Sequence, residues 1–173
     1  MFGRRVPNSN LGILFKEVFQ NILSILYREK DLVSLRVHLG HELYAFLFTT
    51  TLFYATLLKK SLRDSAVHDL TTVCDTMYAS MNDSIFYNRM AFYKDLAGSG
   101  QIRNEWFLTS FPNQPDIRMY IAFGDCLYNS DCVNDYFGAS ILIRGFDEKL
   151  KFNQMMLQIQ NILQEYSKAI SKI

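Results

Sequence analysis

The chain has 173 residues, 49% of them hydrophobic and 14% aromatic, with 14 Phe, 10 Tyr and one Trp. That is one domain's worth of chain, able to bury roughly two-thirds of its unfolded surface, and the composition excludes a disordered or fibrous protein. Eighteen Lys and Arg balance 17 Asp and Glu for a net charge of +1, so no long-range field steers the molecule onto nucleic acid or anionic lipid.

Helical periodicity dominates from the start. Met1-Phe2-Gly3-Arg4-Arg5 is basic but runs into Pro7-Asn8-Ser9-Asn10 instead of an apolar stretch, so no secretory leader is expected. Leu11, Leu14, Phe15, Val18, Phe19, Ile22, Ile25 and Leu26 then follow helical spacing, with Ser9 or Asn10 as the expected cap. A second helix is expected from after Asp31 to about Arg63, with Gly40 as a weak point. Its centre is apolar nearly all round, which places it in the middle of a bundle. The uncharged run from Leu43 to Leu58 spans 16 residues. At about 1.5 Å per residue it covers roughly 24 Å, short of the roughly 30 Å of a bilayer core, so it reads as a buried helix.

A third helix is expected from near Ser65 to about Ser80, presenting Leu70, Val73, Met77 and Tyr78. Asn82-Asp83-Ser84 offers a stop and a fresh cap for a helix over about 85–97, whose Phe86, Tyr87, Phe92 and Tyr93 read as core. Only Arg89 and Lys94 accompany these rings, which argues against base stacking. Gly98-Ser99-Gly100 closes that helix, and residues 98–116 hold most of the loop signals. Pro115 suits the first turn of a helix over about 115–129. Val133 to Arg144 reads as a further helix ended by Gly145. In the last segment Met155, Met156, Ile159, Ile162, Leu163, Tyr166, Ile170 and Ile173 form a narrow stripe, suited to a packed core helix or to a seam for a partner. No strand alternation is present. The fold class is all-α.

Catalytic motifs are lacking. Gly98-Ser99-Gly100 has neither the strand nor the Lys-Ser/Thr of a phosphate loop, and there is no Gly-x-Ser-x-Gly elbow or His-Glu-x-x-His pair. Cys74, Cys126 and Cys132 are odd in number and lack zinc-ligand spacing, so they read as free thiols in a reducing compartment. Arg-x4-His occurs twice, at Arg36/His41 and Arg63/His68. HEPN-type ribonucleases use such a pair, with His moving protons and Arg holding phosphate. With nine Arg and three His, two matches are only a weak excess over chance. The bland alternative is that both His lie on helix surfaces.

Five stretches, in order, resemble the SMG and Ever-shorter-telomeres proteins of nonsense-mediated mRNA decay. Leu14-Phe15-Lys16-Glu17-Val18-Phe19 is similar to a Leu-Trp-x-x-x-aromatic helix start. Leu52-Phe53-Tyr54-Ala55-Thr56-Leu57-Leu58 is similar to Gly-Phe-Tyr-x-x-Leu-Leu. Phe123-Gly124-Asp125-Cys126-Leu127-Tyr128 resembles Leu-Gly-Asp-Leu-x-Arg. Tyr136-Phe137-Gly138-Ala139 loosely resembles Tyr-Tyr-x-x-Ala, and Phe152-Asn153-Gln154-Met155 resembles (Tyr/Phe)-Asn-Gln-Leu. The interval from Gly124 to Asn153 is close to the family's own. The resemblance implies a single 14-3-3-like antiparallel helical bundle over residues 1–173, acting without a cofactor, metal or catalytic residues. These residues end about twenty positions beyond Asn153, so the helical-hairpin region usual in the family is expected either to be absent or to lie beyond residue 173.

By the same resemblance, a Lys on the first helix and the Arg of the Gly-Asp motif would hold a phosphoserine. Here the matching positions are Gln20 and Tyr128, both uncharged, with Lys16 one turn before Gln20 as a partial substitute, and Arg63 as another if the fold brings it near. Charge-assisted contacts are what make a phosphate site, so phosphopeptide affinity is expected to be weak or lost. The chain is therefore most similar to the member that lacks strong phosphoserine-reading residues. The expectation is a cytoplasmic adaptor that heterodimerises with a sister 14-3-3-like SMG protein and reaches the phosphorylated up-frameshift RNA helicase through it, without direct contact with nucleic acid or membrane. The alternatives are a HEPN-like ribonuclease or toxin–antitoxin component, and an unrelated helical module such as an immunity protein.

Overall fold

The computed structural model describes residues 10–32, 39–56, 58–78, 84–99, 115–128 and 146–173. Among them are six helices and no strand: α1 (Leu11–Arg28), α2 (Leu39–Thr56), α3 (Lys60–Tyr78), α4 (Ser84–Ser99), α5 (Pro115–Tyr128) and α6 (Phe146–Ile170). A single 3-10 turn (Lys30–Leu32) follows α1. The fold is all-α, as the periodicity predicts. The helix expected over 133–144, the Tyr136–Ala139 motif, Cys132, Arg36 and Ser9 lie outside the described residues.

α2 occupies the centre and touches each of the other five helices. Its residues Leu43 to Leu47 are all buried. α1 packs on it through aromatic rings: Phe15 meets Tyr44 and Phe48, and Phe19, one turn further along, meets Tyr44. Three consecutive threonines at the middle of α2 are buried, and a buried hydroxyl without a partner is costly. Thr49, Thr50 and Thr51 each donate to the carbonyl four residues back, at 2.7–2.9 Å. Because the Thr51 proton is given to Leu47, the Tyr166 hydroxyl of α6 donates to Thr51 at 2.8 Å and ties the last helix to the central one.

The boundary between α2 and α3 corrects the expectation of one helix running to Arg63. α2 ends at Thr56, and α3 begins at Lys60 instead of near Ser65. The apolar face gives way to Lys59-Lys60, whose ammonium groups must stay in water, so the chain turns out of the core. The Leu58 amide closes on Ala55, the Leu62 and Arg63 amides bond Lys59, and the Arg63 guanidinium donates to the Leu58 carbonyl at 3.2 Å. Gly40 is an ordinary early residue of α2, with nothing within 4 Å of where a Cβ would stand. At the other end of the chain, the narrow stripe of α6 is core: Phe152, Met155, Met156, Ile159, Leu163, Tyr166 and Ile170 are buried, against α1 and α2. These seven residues of the stripe are thus covered within the chain, with Ile162 and Ile173 half-buried.

The start of α1 also departs from expectation. Asn10 stands at the cap position but in a left-handed conformation (φ 54°, ψ 9°), without a side-chain capping bond. The acceptor comes from far away in sequence: the Gly12 amide donates to the Asp69 carboxylate of α3 at 3.0 Å. A carboxylate there satisfies an orphan amide and suits the positive end of the helix. Gly12 is what permits the approach, since a Cβ on it would stand 2.4 Å from Val73 Cγ2.

Candidate functional site

Glu42, just before the long apolar run, is a buried carboxylate in a helix that is otherwise core. Arg89 of α4 meets it in a bidentate pair, Nε and Nη2 each 2.8 Å from a carboxylate oxygen. The Tyr93 hydroxyl, one turn along α4, donates to the same Glu42 Oε1. Arg89 Nη2 also lies 2.9 Å from the Cys126 sulfur of α5. Its guanidinium rests over the Phe92 ring at 4.3 Å and over that of Tyr93 at 5.6 Å. Phe46 underlies the cluster, stacked on Phe123 at 4.3 Å and edge-on to Tyr93 at 5.6 Å. Three helices are thus joined by one polar knot set in aromatic rings.

The electrostatics describe a closed structural site. Burial alone would lower the Arg89 pKa, but the hydrogen bond and charge of Glu42 outweigh it, so the guanidinium is held firmly protonated. Burial pushes the Cys126 thiol up to about 12, with the Glu42 charge adding to the effect. Burial, then Glu42, also raises the Tyr93 phenol well above its ordinary value. A reactive cysteine needs its thiolate, and this one is held as a thiol. The polar groups of the cluster face one another. Cys74 is likewise buried and free, with burial raising its thiol to about 12.

The residues singled out from the sequence fall elsewhere. Lys16 and Gln20 are exposed, four residues apart and therefore on one face of α1. Arg63 lies in the first turn of α3, half-buried and engaged with the Leu58 carbonyl. Tyr128 is the last residue of α5, and its side chain lies outside the described residues. On α3, Arg63 and His68 are five residues apart, which places them about 140° apart around the helix axis. His41 is half-buried and His68 exposed.

Several of the residues that carry the family resemblance serve packing. Phe15, Val18 and Phe19 of the first motif and Tyr54 and Ala55 of the second are buried. Gly124 of the third sits against Met156, directly after the Phe152–Met155 motif, and a Cβ on it would stand 2.9 Å from Met156 Cε. Tyr120, one turn earlier, donates to the Met156 carbonyl at 2.5 Å. Of the aromatics expected to be core in α4, Tyr93 is buried and Phe92 half-buried, but Tyr87 is exposed. Tyr87 is correctly a surface residue because α4 has an outer face, which its weak amphipathic pattern does not mark.

Glu42–Arg89 was missed by the sequence reading. Its signal is a lone carboxylate at the edge of an apolar helix and a lone Arg among rings, two charges that must pair if both helices pack inward. Among the described residues no group of three His, Cys, Asp or Glu could hold a metal, and no helix is long and apolar enough to cross a membrane. Comparison with known proteins gives no matching family model, no matching curated protein and no matching solved structure.

Proposed function

We propose that this protein is a non-enzymatic helical interaction module, working through its surface while its buried polar groups hold the fold. The carrying observation is the Glu42–Arg89–Tyr93–Cys126 cluster, in which the charged and ionisable groups bond one another and the thiol is kept protonated. Arg63, which would hold the phosphate in a HEPN-like site, is half-buried and donates to the Leu58 carbonyl, which supports the same choice over a HEPN-like ribonuclease or toxin.

The finer reading is a 14-3-3-like cytoplasmic adaptor of the SMG kind in nonsense-mediated mRNA decay. It would heterodimerise with a sister SMG protein and engage the phosphorylated up-frameshift RNA helicase through that partner. This step rests on the motif run alone. Lys16 beside the uncharged Gln20, with Arg63 already bonded to a backbone carbonyl, supports weak phosphate reading by the chain itself. The test is fluorescence anisotropy with a phosphoserine peptide from the helicase. The chain should bind it no better than the unphosphorylated peptide, whereas Gln20→Lys with Tyr128→Arg should create phosphate-dependent binding. A double variant that folds but gains nothing contradicts the family register. An immunity-type module would show no such gain either, and partner capture separates it.

A further inference from the structure

We draw no further inference here: the strongest candidate, the solvent-facing row of Ile13, Gln20 and Tyr27 at seven-residue spacing on α1, is an exposed helix face with nothing in the structure to show what covers it.

Discussion

Glu42 and Arg89 set the largest single-residue effects expected in this molecule. Their side chains are 8% and 18% exposed, and removing either leaves the other charge buried without its partner. Such truncations cost about 3–5 kcal/mol. Glu42→Ala and Arg89→Ala should each lower stability by that order in urea titration, and the double variant should lose less than the sum. Additive losses would show that the pair is not coupled. The thiols give a second test. A pKa raised on folding means that the folded state keeps a proton which the unfolded chain releases. Stability is therefore full below the ordinary thiol value of 9.0 and falls as pH rises from there towards about 12. Alkaline titration by circular dichroism should show that decline. At pH 8 Cys126 should resist alkylation until the protein is unfolded. This pairing was not legible in the sequence: Arg89 stands among aromatic residues, but nothing local marks Glu42 as its partner or says that α2 and α4 bring the two together.

At the scale of the element, two glycines separate close packing from tolerance. Gly12→Ala should gain about 1 kcal/mol of helix propensity but lose more, because the new methyl meets Val73 and the Asp69 backbone oxygen at 3.1 Å. A net loss of about 1–2 kcal/mol in urea titration is expected, partly recovered by Val73→Ala, which removes the 2.4 Å contact. Gly124→Ala should cost less, since the atom it meets is the flexible end of Met156. Asp69→Ala removes the distant cap of α1 and should cost about 1–2 kcal/mol by the same measurement, with α1 amides exchanging faster. The amphipathic helices α1 and α6 were readable because a stripe of apolar residues at helical spacing reports its own burial. The end of α2 was not, since apolar and uncharged residues continue to Leu58 and the break is decided by where Lys59 and Lys60 can be solvated. The cap of α1 was not readable either: its acceptor is 57 residues away in sequence.

For the whole molecule, the all-α class and the central place of α2 follow from composition and periodicity, and the structure carries both. Function was less legible for a physical reason. The stretches that carry the SMG resemblance lie largely at buried positions, such as Phe15, Tyr54, Gly124 and Phe152, where any well-packed helical bundle places aromatic, small and aliphatic residues. Surface residues distinguish a phosphate reader from a partner-bound adaptor, and here Lys16 and Gln20 give one cation where a phosphate site needs several. The most direct measurement is an affinity pull-down of the full chain from a eukaryotic lysate, with bound proteins identified by mass spectrometry. The account predicts recovery of a sister SMG protein, with the up-frameshift helicase arriving only when that sister is present. Recovery of neither would contradict the adaptor assignment.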